Sequence, residues 1–433
     1  MVNNNLPSGL KTSLSYDLNN VYLDLALNIL PPSTNGVNAN QRNVANAVTN
    51  FFNTTGNIPM AFGALTPDGL TQASGELGTA PQQTTFQAMN LFLGVITDPF
   101  SAGRGVNGAD ANTATGFAHE SASMAYAGRA RSKNPRDAFA AFTKAPPVVF
   151  AQRWNVWAAG YGGSQTTDGN AVVGSNNTTS NIYGAAVGAD YWFSPDTVAG
   201  FALAGAGSNF SVANGGSGRS DIFQAGAFVR HNFDATYLTA AVAYGWQDVT
   251  TDRYVSVAGV DHLRANFNAN AYSGRLELGH RFLTPWFGGL GVSPYAAAQI
   301  TAFELPSYAE RAISGASTFA LNYGADTATS SRTELGLRTD KSFALDGAVL
   351  TLRGRAAWAH DFNPDRAIAA TFQTLPGASF VVNGAALASD SALTTASAEV
   401  RWLNGWSVAA TFEGEFSDVT RSYAGKGVLR YNW

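Results

Sequence analysis

The sequence predicts an all-β transmembrane protein: a 12-stranded antiparallel up-and-down outer-membrane β-barrel that follows an N-terminal, partly helical linker segment. Three observations predict this fold. Many segments alternate between an apolar and a polar face, their connections alternate between long and short, and the charge content is low. Charged residues make up 13% of the 433 residues, about half of the roughly 25% typical of soluble proteins. The competing interpretation is a soluble β-sandwich or β-solenoid.

Composition narrows the class further. The chain has 45 Gly, 12% aromatic residues, no Cys and a net charge of −4. No run approaches the roughly 18 apolar residues of a membrane helix, so a spanning surface has to be spread over alternating strands. The charge gives no support for nucleic-acid binding, and the absence of Cys excludes disulfides and thiolate metal sites. Met1–Asn5 has no signal-peptide pattern, so an exported protein is expected to begin upstream of this chain.

In the first third of the chain the residue pattern changes twice. Residues 8–30 alternate between apolar and other side chains and stop at two prolines, which predicts a short β-structure. Residues 41–52 and 82–96 carry apolar side chains at helical spacing, which predicts two helices. Residues 99–149 are rich in Ala, Gly, Ser and Asn, as is typical of a linker.

From about residue 150 to the end of the chain, the sequence alternates between apolar and polar residues. Connections after strands 1, 3, 5, 7 and 9 are predicted to be long and polar, as at 164–179, 304–327 and 362–387, and those after strands 2, 4, 6, 8 and 10 to be short. The eleventh connection, 416–420, is predicted to be moderate in length. An outer-membrane barrel has this parity, because its periplasmic turns are short and its outer loops are long. The twelve predicted strands are 151–163, 180–193, 196–208, 219–232, 235–248, 263–282, 290–303, 328–342, 347–361, 388–402, 405–415 and 421–433.

The charges of several strands fall on the face opposite the large apolar residues. A charge that faced lipid near the bilayer midplane would cost roughly 2–4 kcal/mol, so these charges are predicted to point into a watery lumen and to pair there. The sixth strand shifts its alternation near Tyr272, which predicts either a bulge or a strand that continues beyond the membrane. The candidate pore-lining residues are Arg275, Glu277, Glu334, Arg338, Arg353, Arg355, Glu399, Arg401, Glu413 and Arg430.

The last strand, 421–433, has one apolar or small face that includes Leu429, Tyr431 and Trp433, and one largely polar face that includes Arg430. An aromatic end suits the membrane interface, where an apolar ring can meet both lipid and water. This strand is predicted to close the barrel against 151–163. Arg421, the charge on its outward face, is expected at the outer rim.

Residues 150 to 433 resemble the translocator β-domain of autotransporters, the type V secretion proteins of Gram-negative bacteria. Leu70-Thr-Gln-Ala-Ser-Gly-Glu76 resembles the family's Leu-x-Gln-Leu-Ser-Gly-Glu segment before the barrel, with Ala73 in place of the second Leu. Asp17-Leu-Asn-Asn-Val-Tyr-Leu-Asp-Leu25 resembles the last rung of a passenger β-helix. Tyr431-Asn-Trp433 resembles the terminal aromatic signal that the barrel assembly machinery reads.

The resemblance implies three regions. Residues 1–36 would be the C-terminal end of a passenger β-helix, 37–149 a helical segment and linker that partly threads the pore, and 150–433 the barrel. Twelve strands leave room for about one helix. The first candidate for that helix is 82–97 with part of the linker, and 137–143 is the second.

The resemblance also implies the function: an outer-membrane translocator that anchors the chain and assists passage of its own passenger to the cell surface. The expected partners are outer-membrane lipid, the barrel assembly machinery and the passenger, with the protein as a monomer and without cofactor or enzymatic activity. The pore-lining charges would keep the lumen hydrated and grip the threaded segment, or would stabilise the barrel by pairing. The assembly signal would comprise Leu429, Tyr431 and Trp433. The alternative is a diffusion porin or small-solute channel, which needs an open pore.

Other motifs predict no chemistry. Gly103-Arg-Gly-Val-Asn-Gly108 matches a dinucleotide-binding pattern in letters only, since no strand precedes it and no periodic helix follows. His119-Glu120 lacks the second His of a zinc-protease helix, and the five His residues are scattered. Gly215-Gly-Ser-Gly218 is expected to be an external loop tip. No catalytic, cofactor or metal site is predicted.

Overall fold

The computed structural model describes residues 6–30, 36–98, 154–285 and 289–433. The predicted linker at 99–149, the second pore candidate at 137–143, the Gly103–Gly108 motif and His119-Glu120 lie outside the described residues. The described elements, in chain order, are β1 (Leu10–Tyr16), β2 (Val21–Leu27), α1 (Ala39–Thr55), α2 (Pro67–Ala73), α3 (Ala80–Ile96), β3 (Trp154–Thr167), β4 (Thr178–Ser194), β5 (Thr197–Val212), β6 (Gly216–Phe233), β7 (Thr236–Val255), β8 (Asp261–His280), β9 (Phe282–Thr284), β10 (Leu290–Leu305), β11 (Tyr308–Ala309), β12 (Arg311–Ser314), β13 (Leu321–Tyr323), β14 (Asp326–Leu345), β15 (Ala348–Asp361), β16 (Ala367–Phe372), β17 (Ser379–Asn383), β18 (Asp390–Trp402), β19 (Trp406–Phe416) and β20 (Thr420–Asn432). Short 3₁₀ turns cover Met60–Ala64 and Glu76–Thr79.

Twelve long antiparallel strands form a closed barrel. Each pairs with its neighbour in the ring, and the ring closes where Leu429 of β20 faces Ala158 of β3. All twelve predicted strands are confirmed. The ring comprises β3, β4, β5, β6, β7, β8, β10, β14, β15, β18, β19 and β20.

The strands bury one face and expose the other, as the alternation predicts. On β14, Glu334 and Arg338 point inward and are buried, while Leu335 and Leu337 between them are more than half exposed on the outside. Large apolar side chains exposed on the outer wall are expected of a wall that faces lipid, because water would penalise their exposure and lipid does not. Among the described residues, no helix is both long enough and apolar enough to cross a membrane.

The sixth barrel strand, β8, is continuous. It pairs with β7 and with β10 without a change of register, so the bulge considered near Tyr272 is wrong and the extended strand is correct. The apparent phase shift has a physical reason. In the outer part of β8, before Tyr272, the inward side chains are apolar, as at Leu263 and Phe267, because they pack inside the barrel. The outward side chains of this part are polar.

The predicted parity of the connections holds only in part. Outer connections 306–325 and 362–389 are long, but 213–215 and 256–260 are tight because β5 to β8 continue farther before they turn. One connection on the opposite, periplasmic end, 281–289, is longer than predicted and contains β9. Gly215–Gly218 lies at an outer hairpin tip, as expected.

A folded cap stands on the outer end of the barrel. This outer cap consists of residues 36–79 and the two long connections 306–325 and 362–389, whose short strands β11, β13, β16 and β17 form a four-stranded sheet. Its centre is aromatic: the ring of Phe62 lies 4.9 Å from that of Phe319 and 5.0 Å from that of Phe372. The long connections were predicted to be polar loops; they are instead walls of a hydrophobic core.

The hairpin of β1 and β2 projects from the outer cap. Its strands pair antiparallel, with Leu10 opposite Leu27 and Tyr16 opposite Val21. The segment Asp17–Leu25, which resembles a passenger rung, forms the turn and second strand of this hairpin. Leu10 and Leu27 are buried at its base, where the amide of Gly9 donates to the carbonyl of Gly63.

Candidate functional site: the lumen and its helix

Helix α3 lies inside the barrel, and its polar contacts follow the pore inward from the outer end. Near the rim, Gln83 Nε2 donates to Thr167 Oγ1 at 2.7 Å. Deeper, Ser180 Oγ donates to Gln87 Oε1 at 2.6 Å, and deeper still Lys426 reaches the last turn of the helix. The helix predicted at 82–96 is therefore present, and it fills the outer half of the lumen.

One wall of the lumen is lined with small residues, which leaves room for a helix. A Cβ at Gly226 would lie only 2.9 Å from a ring carbon of Phe92, and one at Gly245 only 3.0 Å from the sulfur of Met89. Burial of Met89, Phe92, Leu93 and Ile96 against this wall fixes α3 to one side of the pore. The other small residues of the wall are Ala186, Ala202, Ala204, Ala241, Ala243, Ala265, Ala269 and Ala271.

The opposite wall is charged, and a cavity of about 130 Å³ separates it from α3. One water needs roughly 10–15 Å³ of the volume that the centre of a water-sized sphere can reach. This cavity therefore suits several waters but no polypeptide. Asn90 and Gly94 of α3, and Asp98 just after its end, face this cavity. The lumen is therefore divided into a dry side that holds the helix and a wet side that holds the charges.

Glu334 is the centre of the charged wall. Its carboxylate accepts two hydrogen bonds of 2.9 Å from Arg275, and Arg355 and Arg332 lie 3.8 and 3.9 Å away. Glu277 lies on β8, which β10 separates from β14, the strand of Glu334. It pairs with Arg338 and also contacts Arg275 at 3.1 Å. Arg338 and Arg355 lie directly opposite each other on β14 and β15, so the cost of burying these charges is offset by their carboxylate partners and not by a regular alternation of sign between strands.

The remaining predicted pore-lining residues also lie on the inward face. Arg353 pairs with Glu399 at 2.5 Å, and Arg430 pairs with Asp190 at 2.7 Å. Glu413 accepts a hydrogen bond from Lys426. Arg401 lies near the periplasmic turn and forms no ion pair within the described parts of the chain. The structure thus brings most of the predicted residues into pairs and leaves Arg401 apart.

Sequence reasoning missed several lumenal residues. Lys426 and Arg332 have the same inward parity as Arg430 and Glu334, so the alternation alone could have found them. Asp190 was missed because its partner, Arg430, lies in a strand at the far end of the chain. No sequence pattern places Asp98 beside Lys426, because that contact depends on how deeply α3 sits.

The segment Leu70–Glu76 is the joint between the outer cap and α3. Gly75 has a left-handed backbone (φ 73°), and a Cβ there would lie 2.3 Å from Leu321, so only glycine fits. Its carbonyl accepts a hydrogen bond from the hydroxyl of Tyr323 at 3.1 Å. The carbonyl of Gln72 accepts one from Arg253, whose guanidinium also pairs with the buried Glu310.

Glu76, the last residue of this joint, docks on the first outer loop. Its carboxylate accepts hydrogen bonds from the backbone amide of Asn176 at 2.7 Å and from its side chain at 2.5 Å. Burial disfavours the charged form and raises the pKa of Glu76 to about 7, although both Asn176 bonds act in the opposite direction.

The end of the chain forms an aromatic row on the periplasmic rim. The ring of Tyr431 lies 4.9 Å from that of Trp406 and 5.9 Å from that of Trp433. Leu429 is exposed on the outer wall. The predicted signal residues therefore face the membrane together, and Arg421 lies exposed on the same face at the outer end of β20.

Comparison with known proteins decides the family. The family model described as Autotransporter beta-domain matches residues 156–413. The chain belongs to the autotransporter β-domain family. An autotransporter β-domain is an outer-membrane translocator of Gram-negative bacteria whose passenger is displayed at the surface, so the predicted fold, function and location are confirmed.

Solved structures share the fold of this autotransporter. The translocator domain of NalP from Neisseria meningitidis is 17% identical, with a TM-score of 0.52, and the match covers 64% of this chain and 88% of that one. The β-domain of the Bordetella autotransporter BrkA is 18% identical, with a TM-score of 0.50, and the match covers 64% and 99%. An extracellular serine protease of Serratia marcescens is 27% identical over 183 residues, which are 42% of this chain but only 17% of that protein.

Proposed function

We propose that the barrel exports its own passenger through the lumen that α3 occupies in the finished protein. The direction of the chain carries this proposal. Ala80 lies at the outer end of the pore, Asp98 lies half-way down beside Lys426, and Trp154 begins the first barrel strand at the periplasmic rim. The chain thus enters the pore from the outer end, and its first barrel strand begins at the periplasmic end. This arrangement is expected if the segment N-terminal to α3 has passed outward through the pore.

The two-walled lumen suits this role. A moving polypeptide would find hydrated, mutually paired charges on one side, which offer it no apolar surface to stick to. The small-residue wall offers apolar contact only to a helix that fits its grooves. We infer that the predicted pore-lining residues keep the lumen wet, and that their pairing also stabilises the barrel.

We further propose the division of the chain that the sequence suggests: passenger end at 1–36, pore segment and linker at 37–149, and barrel at 150–433. The exposed hairpin of β1 and β2 supports a β-rich passenger end. Assembly would be by recognition of Leu429, Tyr431 and Trp433 by the barrel assembly machinery, with the barrel acting as a monomer. The barrel itself would perform no catalysis. Protease activity belongs to the Serratia relative, whose length this chain spans only in small part.

The test is to fuse a protease-sensitive reporter, with a signal peptide, upstream of Met1 and to treat intact cells with protease. Loss of the reporter from intact cells supports export. A reporter that stays protected in cells whose barrel is folded contradicts it. Epitopes in two turns give the control for sidedness: the one at Asp17–Asn20 should be reachable on intact cells, and the one at Asp234-Ala235 only after permeabilisation.

The alternative, a diffusion porin, requires an open lumen, whereas within the described residues α3 occupies the outer half of the lumen and leaves beside it a cavity of about 130 Å³. Single-channel recording distinguishes the two. The full chain should conduct weakly, and deletion of residues 1–149 should raise conductance strongly. Equal conductance before and after deletion would contradict a lumen filled by this segment.

A further inference from the structure

The outer wall of the barrel is taller on one side. On β19 and β20 the outward aromatic pair Phe416 and Tyr423 stands next to the outer turn. On β7 the outward aromatic Trp246 is followed by strand as far as Val255. The strands β6, β7 and β8 therefore carry an outward face farther out than the large apolar side chains of the outer wall. We call it the Asn face and define it by Arg219, Asp221, Asp248, Thr250, Asn266 and Asn268.

The Asn face directly continues the lipid-facing surface. Trp246 and Phe223 are paired across their strands, and one step farther out Asp248 and Asp221 are paired in the same way. All four side chains are exposed. Tyr244, an outward residue of β7 two positions before Trp246, donates its hydroxyl proton to Asn270 at 2.8 Å, so the lipid-facing surface and the polar surface are joined without a gap.

Only part of this polar face is bonded within the protein, where Asn266 Nδ2 donates to Thr250 Oγ1 at 2.6 Å. Asp221, Asp248 and Asn268 are consecutive partners across three strands, and none of them forms a hydrogen bond or ion pair with another described residue. Like charges directly opposite each other on adjacent strands destabilise a sheet. A partner that donates hydrogen bonds to both carboxylates would remove that cost.

We propose that the Asn face binds the saccharide headgroups of the lipid in the outer leaflet. Sugar hydroxyls donate to carboxylates and both donate to and accept from amides, and the exposed rings of Trp246 and Tyr254 offer flat apolar surfaces to sugar rings. Phosphate groups fit less well, because the face carries two carboxylates, Asp221 and Asp248, against the single guanidinium of Arg219. The neighbouring Arg264 is already bonded to Asp252 at 2.8 Å. The partner is therefore the hydroxyl-rich part of the headgroup. This proposal needs only the outer-membrane location and is independent of passenger export.

The test uses the full chain in lipid discs of three compositions. The first contains phospholipid alone, the second phospholipid and lipopolysaccharide with its full sugar chain, and the third phospholipid and lipopolysaccharide truncated to its phosphorylated lipid anchor. The variant replaces Asn266, Asn268 and Asp248 by Ala, and its fold is first checked by heat-modifiable migration in detergent. The control is Arg421→Ala, which removes an exposed outward charge on the opposite wall. The readout is the Tm of barrel unfolding.

We expect the full sugar chain to raise the Tm of the native protein and of Arg421→Ala by roughly 2–4 °C over the truncated form. The triple variant should lose this rise. An equal rise in the triple variant would overturn the proposal. An equal Tm in full and truncated lipid would assign the contact to the lipid anchor and would overturn it too.

A second measurement needs no variant. Hydrogen exchange of the outer parts of β7 and β8 should slow when the sugar chain is present, while exchange at the outer ends of β19 and β20 should not change. Uniform slowing or no slowing would contradict binding at the Asn face.

Discussion

The Nζ of Lys426, on the last barrel strand, donates a hydrogen bond of 3.1 Å to the carbonyl oxygen of Gly94 in the last turn of α3. The same ammonium group lies 3.0 Å from carboxylate oxygens of both Asp98 and Glu413. A cation at the C-terminus of a helix offsets the partial negative charge of its unpaired carbonyls. Because β20 also closes the barrel against β3, the strand that completes the ring also holds the end of the pore helix.

Replacing Lys426 by Met should loosen α3. The change leaves Asp98 and Glu413 without their shared cation, and loss of one partner of a buried pair costs about 3–5 kcal/mol. We expect a lower Tm and frequent brief openings in single-channel recordings. Lys426→Arg keeps the charge and should behave much more like the native protein. Traces of Lys426→Met that match the native ones would show that this contact does not hold the helix.

Replacing Gly226 by Leu should displace α3 without preventing barrel assembly. The new side chain would occupy the space of Phe92 and Ile96, and such overpacking typically costs about 1–3 kcal/mol. Conductance should rise while heat-modifiable migration is retained. Gly274→Leu is the matched control, since a Cβ at Gly274, on the outward face of β8, meets nothing within 4 Å. Equal effects of the two substitutions would refute a close fit between α3 and β6.

Docking of the outer cap should weaken as pH rises. The pKa of Glu76 is raised by burial from an ordinary value of 4.5 to about 7. The unfolded state therefore releases this proton first, and stability is fully present below pH 4.5 and is lost as pH rises through about 7. After correction for the intrinsic rise of amide exchange with pH, hydrogen exchange of α2 and of the loop around Asn176 should become faster over this range.

The control for this pH effect is Glu76→Gln, which cannot ionise and should abolish the dependence in that range. If the native protein and Glu76→Gln show the same pH profile, another group is responsible.

Deleting Tyr431 to Trp433 should abolish assembly in the outer membrane while synthesis continues. The deletion removes the two rings that pack beside Trp406, and it removes the amide of Asn432, which donates to the carbonyl of Gly405 at 3.0 Å. Heat-modifiable migration in membrane fractions measures assembly. Trp433→Phe, which keeps an aromatic end, should assemble. A normal folded barrel in the deletion variant would contradict a signal role for this row.

The barrel was predictable because its evidence is local. Leu335 and Leu337 next to Glu334 and Arg338 reveal the two faces of a strand within a few residues. The pattern is strict because a charged side chain on the lipid-facing side would destabilise the barrel. The strand count follows from repeating the pattern. The phase change near Tyr272 was ambiguous for the same reason, since a bulge and a polar extension give the same local alternation.

The outer cap was not predictable in this way. Phe62 meets Phe319 and Phe372 only because the barrel brings two distant connections to the same end. The Leu70–Glu76 segment could be recognised by resemblance, but its work at the joint depends on Tyr323, Arg253 and Asn176, which come from three different outer loops or strands.

The sequence by itself determined that the chain forms a membrane barrel, which side chains face lipid, and that the chain ends on an aromatic strand, because a strand repeats every two residues and lipid excludes unpaired charge. Only the tertiary structure decided that one wall of the lumen is small and dry and the other charged and wet. It also decided that Lys426 of the final strand holds α3 in place. These facts depend on the order in which strands meet around a closed ring, and that order brings together residues from opposite ends of the chain.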